Sequence, residues 1–442
     1  MPTSRKRTNK RRTVRFPVVL LGICLVCAVI LLITGLVLRE CGKTEQEERP
    51  GSDPAPAAEA LPPSSDGRDY SALAGHKVLI PDGCDLFLVS DNGMEAAGHV
   101  SPGALLDISG TAEGGYLTVA DSSFCIPGAN AQLSDRWYRN DTNLIPYAED
   151  LTTNDSFTLR DADGNAVLVS DRSLTFPVYV KPGEDSRYGV RFMNGISYID
   201  ASEVRDVHPA QRDMEPSASE VPVLMYHFFY SEAEGGTRVD GNYVEVNELD
   251  EQLNYIHEQN YHACTMREIL YWMEGRANLP EKSIAITIDD ADPSVHQYAM
   301  PVFVKYGLHA TNFVICGWQP AEMPYELWEM RENGMELQSH GFLTHTGGCS
   351  GMGHGGLLLC MDHESGVEDI RRSFDYVDGG FVFCYPFGDI NENAERIVRD
   401  AGGKLAFTTE GGRIRPGMDP LALPRVRVTG GNGLAAFAAS IG

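Results

Sequence analysis

The chain has 442 residues, a formal net charge of −26 and a hydrophobic fraction of 43%. That length allows more than one core, and such acidity excludes nucleic acid as a partner. The charge is uneven: residues 1–43 hold nine Lys or Arg and one Glu, which leaves 27 basic residues against 61 acidic ones beyond.

Residues 1–15 form a basic tail with Arg5, Lys6, Arg7, Lys10, Arg11, Arg12 and Arg15, and residues 16–38 are uncharged and mostly apolar. A bilayer span needs about 20 apolar residues, so 16–38 is expected to be a transmembrane helix. The basic flank predicts a cytoplasmic N-terminus, with the remainder extracytoplasmic at the cell membrane. A cleaved signal peptide is the alternative, but the run is long for its apolar core of about 7–15 residues. Residues 39–66, rich in Glu, Pro, Ala and Ser, read as a disordered linker.

From residue 67 the texture changes. Short runs rich in Val, Leu, Tyr, Phe and Thr alternate with Gly, Asp, Asn and Pro turns, as in HKVLIPDG, DLFLVSDNG, FPVYVKPG and RYGVRFMNG. Two small all-β modules are expected, over 67–140 and 141–215. A weak internal echo links residues 114–133 with 193–204. Both modules resemble bacterial SH3-like domains, which implies contact with the cell wall; a plain spacer is the competing reading. Of ten cysteines, Cys24 and Cys27 fall in the apolar span. Cys349 with Cys360 would close one loop and Cys84 with Cys125 would staple the first module, although eight cysteines allow about 105 pairings.

Residues 216–442 alternate strand-like and helix-like segments, the pattern of an α/β barrel. Helical spacing predicts helices over 247–259, 293–306, 321–333, 366–377 and 391–401. The segment IAITIDDAD, residues 284–292, reads as a buried strand ending in Asp289 and Asp290. Adjacent carboxylates at a strand exit point different ways, so one can bind a cation while the other takes a proton. A second strand, MELQS at 335–339, delivers His340, and His345 follows five residues later. That spacing is not the four-residue helical one, so the pair sits on a strand exit and a loop. One carboxylate and two imidazoles leave open positions on a divalent ion, as a catalytic site requires.

The segments VPVLMYH (221–227), IDDAD, the His pair, YPFG (385–388), AFTTEGG and LPRVRV occur in the order found in the polysaccharide deacetylases. The C-terminal half therefore resembles that family, the NodB-homology or carbohydrate esterase family 4 enzymes. The resemblance implies an irregular (β/α)7 barrel and hydrolytic N-deacetylation of a cell-surface glycan, of peptidoglycan or poly-N-acetylglucosamine type. It implies Asp289 as base, Asp290, His340 and His345 as ligands of Zn2+ (or Co2+, Ni2+ or Mn2+), and Tyr385, Pro386 and Phe387 along the sugar groove, with the Tyr385 N–H as an oxyanion donor. Two departures stand out. Cys384 occupies the place of the Arg that usually orients the base, so Asp289 is expected to lack its partner. The usual late Leu-x-His is absent, and the acid role passes to His227 by similarity to the poly-N-acetylglucosamine deacetylase subgroup. The departures keep two alternatives open, a catalytically inactive glycan-binding protein and an O-acetyl esterase.

Overall fold

A computed structural model describes residues 68–90, 93–120, 122–134, 144–192 and 195–442, all within one compact unit, Ala60–Gly442. The basic tail, the expected transmembrane helix over 16–38 and the linker over 39–66 lie outside the described residues. Among the described residues no helix is long and apolar enough to cross a membrane.

The region before residue 210 is all antiparallel β, as its turn-punctuated sequence predicts. Its strands join into one continuous 14-stranded sheet rather than two separate ones. The two halves are stitched where Leu168 and Val169 pair with Val100 and His99, and they share one core in which Ile80, Leu106 and Ile126 pack with Leu151, Leu168 and Val190. The echo has a structural counterpart. Phe124–Pro127 runs into a 3-10 turn, Gly128–Asn130, and a further strand; Gly195–Asp200 runs into a 3-10 turn, Ala201–Glu203, and a further strand. The expected Cys84–Cys125 bridge is not formed, and both thiols are free and buried. The register explains this: Cys125 pairs with Phe87, which leaves Cys84 three residues along the strand, about 10 Å away and beyond bridging distance. Cys349 and Cys360 do form a disulfide.

Seven parallel strands close the C-terminal barrel: β1 (Val221–Tyr226), β2 (Ser283–Asp290), β3 (Ala310–Val314), β4 (Met335–Ser339), β5 (Val382–Cys384), β6 (Leu405–Gly411) and β7 (Leu423–Arg427). The barrel closes as β7 pairs with β1, which also pairs with β2. Both faces of each strand are covered, so the strands read as continuous apolar runs; every residue of β1 and every residue of β2 as far as Asp289 is buried. Helices α1 (Val246–Glu258), α2 (Met266–Met273), α3 (Met300–Tyr306), α4 (Tyr325–Glu332), α5 (His363–Tyr376), α6 (Glu392–Ala401) and α7 (Gly433–Ile441) surround it.

Local chemistry sets their ends. Thr265 and Glu268 form a reciprocal capping box at α2, worth about 1 kcal/mol. Asn391 caps α6, and Gly402 ends it in the left-handed region at φ 105°. The helix expected over 293–306 is found there, with a π-turn at Val295–Ala299, whereas the one expected over 321–333 starts later, at Tyr325, directly after Pro324.

The β-sheet region docks at the N-terminal end of the barrel strands. Bridges Ile145–Asn278 and Val180–Ala277 hold the segment that leads into β2. Trp272, Ile269 and Leu279 pack there with Tyr179, Val180 and Tyr198. That end is sealed, and the opposite rim, where the strands finish, is left for chemistry.

Candidate active site

Asp289 and Asp290 end β2 and diverge as the adjacent-carboxylate argument requires. Asp289 stays buried inside the barrel, whereas Asp290 turns outward at φ 77°, followed by Ala291 at φ 52°. Positive φ at two consecutive residues with side chains is backbone strain at the functional position.

His340 follows β4 and His345 comes from the loop after it. Asp290 Oδ1 lies 3.5 Å from His340 Nε2 and 3.4 Å from His345 Nε2. Tetrahedral bonds of about 2.0–2.2 Å separate ligand atoms by roughly 3.3–3.5 Å, so the three donors fit one divalent ion. The tautomer agrees. His340 Nδ1 donates to the Cys384 carbonyl at 2.7 Å, so in the neutral imidazole Nε2 is the nitrogen whose lone pair is turned to the site. Burial, with His340 adding to it, pulls the His345 imidazole down to about 4, so it offers a neutral nitrogen at neutral pH.

The loop that carries His345 is held by a residue the sequence did not single out. Buried Asp369 on α5 accepts from the backbone N–H of Phe342 at 3.0 Å and of Leu343 at 2.7 Å, and from Thr344 Oγ1 at 3.2 Å. Gly341 makes the turn at φ 88°, where a Cβ would lie 2.0 Å from Thr344 Oγ1.

The expectation that Asp289 lacks a partner is overturned. Arg425, fully buried on β7, donates from Nη1 to Asp289 Oδ1 and from Nη2 to Oδ2, both at 2.7 Å. It also donates to the Thr408 carbonyl at 2.9 Å, Thr287 Oγ1 at 3.0 Å and Cys384 Sγ at 3.2 Å. The guanidinium has changed strand: position 384 holds a thiol, and the charge comes from two strands away to the same carboxylate. Burial alone would push the Asp289 carboxyl up, but Arg425 overrides it and holds the group far below the usual carboxylate range. The signal in the sequence was an Arg between Pro424 and Val426 in the strand LPRVR, where Arg427 is the exposed end and Arg425 is buried.

His227, after β1, brings Nε2 to 3.8 Å from Asp289 Oδ2. Burial lowers its imidazole below the ordinary value, against the raising effect of Asp289 and Asp290. The structure therefore gathers Asp289, Asp290, His227, His340 and His345. The YPFG segment is different. The Tyr385 N–H donates to the Phe407 carbonyl at 3.0 Å and its hydroxyl to the Leu421 carbonyl at 3.0 Å, so it cannot serve an oxyanion. Tyr385 packs in the core and Pro386 is buried, whereas Phe387 is exposed, its ring centroid 4.7 Å from that of His345.

Comparison with known proteins follows this geometry. Residues 276–406 match the family described as polysaccharide deacetylase. YxkH of Bacillus subtilis, which carries a provisional polysaccharide deacetylase name, is 28% identical over 232 residues, covering 50% of this chain and 76% of its own. The poly-β-1,6-N-acetyl-D-glucosamine N-deacetylase of Staphylococcus aureus is 24% identical over 200 residues, 42% of this chain and 68% of its own. Among solved structures, IcaB from Ammonifex degensii aligns with a TM-score of 0.44 at 23% identity, over 52% of this chain and 100% of its own. The Streptococcus pyogenes deacetylase PplD aligns with a TM-score of 0.44 at 22% identity, over 51% and 100%.

Proposed function

We propose that this chain, which belongs to the polysaccharide deacetylase family of hydrolases, removes acetyl groups from an N-acetylated cell-surface glycan in a metal-dependent reaction. The observation that carries the reading is the pairing of two carboxylates with separate duties. Asp290 sits 3.4–3.5 Å from two imidazole nitrogens, and Asp289 beside it is held anionic by Arg425.

Asp290, His340 and His345 would hold a divalent ion, with zinc the first choice for two imidazoles and a carboxylate. Such an ion, when bound, polarises the acetamide carbonyl and makes water a better nucleophile. Asp289 accepts the proton of the attacking water, oriented by the two Arg425 hydrogen bonds. His227, with Nε2 3.8 Å from Asp289 Oδ2, donates a proton to the departing sugar amine. The inactive-binder alternative drew its force from a missing Arg and a missing late His; Arg425 answers the first, and His227 is the residue proposed for the second.

The substrate is a peptidoglycan or poly-N-acetylglucosamine type of polymer, in keeping with the activity named for the staphylococcal relative. Residues 16–38 anchor the chain in the cell membrane with the barrel outside, and the β-sheet region contacts the cell wall. Acetate released from N-acetylglucosamine oligomers by the metal-loaded protein tests the catalytic part. No acetate from any glycan or wall preparation would sink it.

A further inference from the structure

The barrel rim carries a feature that the chemistry of acetyl removal does not use. Trp318 is 66% exposed, and its ring stands edge to face with His345 at a centroid distance of 5.4 Å. Phe387, 38% exposed, touches the same imidazole. Burying an indole is one of the larger apolar gains open to a fold, and here it is forgone beside a metal-ligand imidazole.

The placement is built rather than incidental. Trp318 ends a 3-10 turn, Cys316–Trp318, that is zipped to the His345 loop: the Cys316 N–H donates to the Gly341 carbonyl at 2.9 Å and the Gly317 N–H to the Phe342 carbonyl at 3.0 Å. Only glycine permits this approach, because a Cβ at Gly317 would lie 2.0 Å from the Phe342 oxygen. On the other loop, Phe387 is held at φ 62°, a conformation that a bulky residue adopts only when its surroundings force it. Leu343, 57% exposed, extends the apolar rim from the same loop as His345.

We propose that Trp318, beside the Phe387 already expected along the sugar groove, forms an aromatic platform for a pyranose ring next to the acetamide under attack, and that Trp318 sets the preference for polymeric glycan over small acetyl compounds. A substrate that reaches the three donor atoms must pass the rings that contact His345. The C–H face of a pyranose is apolar and packs on aromatic planes as it passes, whereas a small acetyl ester has no ring to pack on them. This inference rests on the deacetylase reading for the identity of the ligand, but not on turnover.

Two measurements separate the claims, both with Trp318→Ala, Trp318→Phe and the wild type, and with a soluble N-acetylglucosamine pentamer as the probe. Calorimetric binding of the pentamer should weaken about five- to tenfold in Trp318→Ala and largely recover in Trp318→Phe. Kinetically, kcat/KM for the pentamer should fall by a similar factor relative to kcat/KM for 4-nitrophenyl acetate, chiefly through KM. Equal pentamer binding by wild type and Trp318→Ala, no pentamer binding by the wild type, or an equal loss on the small ester would each overturn the platform. Trp-dependent binding without acetate release would leave the platform standing and defeat the deacetylase reading; acetate release with Trp-independent binding would do the reverse.

Discussion

The barrel holds a cluster of imidazole and carboxylate at each end, and the two are spent differently. At the sealed end, beside the start of β2, His262, Cys264 and Glu268 bring ligand-type atoms within 4.8 Å of one another. There the Glu268 carboxylate accepts from the Thr265 N–H at 2.9 Å as part of a helix cap and contacts the His262 ring at 3.0 Å. At the open rim, Asp290 faces His340 and His345 at 3.4–3.5 Å, and the other nitrogen of His340 is tied to a carbonyl so that Nε2 points inward. Residue types are nearly the same in both places. What makes one a candidate metal centre is that its donor atoms converge while its structural hydrogen bonds are made elsewhere.

Removing the proton acceptor tests the rim most severely. Asp289→Asn should lower kcat by about 10²–10⁴-fold, with KM and bound metal little changed. Acetate release equal to wild type would refute the base assignment and turn the contrast between the two ends into a difference of packing alone.

Arg425→Ala should come next. It strands a buried carboxylate and should cost about 3–5 kcal/mol of stability. The pH dependence has a definite sign. The Asp289 carboxyl is depressed in the folded protein, so its contribution is fully present above the unfolded value near about 3.9 and fades only as pH falls toward the folded value. Without the guanidinium, burial dominates and the carboxyl is raised, so the variant should lose stability as pH rises above about 4. The gap between variant and wild type should therefore be widest at neutral pH and narrow in acid, as followed by denaturant unfolding from pH 4 to 8. A gap that does not vary with pH would mean that Arg425 acts through packing only.

That pair also shows where the reach of the sequence ends. The barrel was legible because both faces of its strands are covered, which writes each strand as an apolar run. The candidate donors Asp290, His340 and His345, which the structure brings together, were legible because they come from the exits of two such strands. The partner of Asp289 was not, since a closed barrel lets side chains of strands that are not neighbours of β2 meet it across the interior, and chain order does not say which strand supplies the cation. The Tyr385 N–H failed as a donor for a similar reason: whether an amide is spent depends on its neighbour strand, here Phe407 of β6. In the β-sheet region, strand texture was readable, but register was not. The Cys84–Cys125 pairing failed by three residues of register.

The two ends can be compared directly by substitution. His340→Ala should reduce bound metal at least as much as the 10–100-fold loss seen when a supporting residue is removed, with activity falling in step. His262→Gln should leave metal content and kcat unchanged and cost about 1–3 kcal/mol of stability, as the loss of a buried hydrogen-bonded partner does. Burial works against protonation of His262, but Glu268 outweighs it and the imidazole is raised well above its ordinary value. Its contribution is therefore fully present below about pH 6.5 and is lost as pH rises through the folded value. The His262→Gln deficit should shrink in alkali, opposite in direction to the Arg425→Ala deficit. Metal loss in His262→Gln would erase the distinction between the clusters.

A similarly small effect should come from the disulfide. Cys349 and Cys360 are 11 residues apart, so removing the bridge frees a short loop in the unfolded chain, worth about 2–3 kcal/mol at most. The loop begins beyond His345, whose own segment is fixed by Asp369. The glycine-rich part has a second tether, because Asp389 accepts from the His354 N–H at 2.8 Å and the Gly356 N–H at 2.8 Å. Cys349→Ala/Cys360→Ala should thus lower the unfolding midpoint by several degrees while metal content and kcat stay within about threefold of wild type, since neither tether involves sulfur. A collapse of activity at unchanged metal content would show that the bridge, rather than Asp369 and Asp389, sets the position of the catalytic rim.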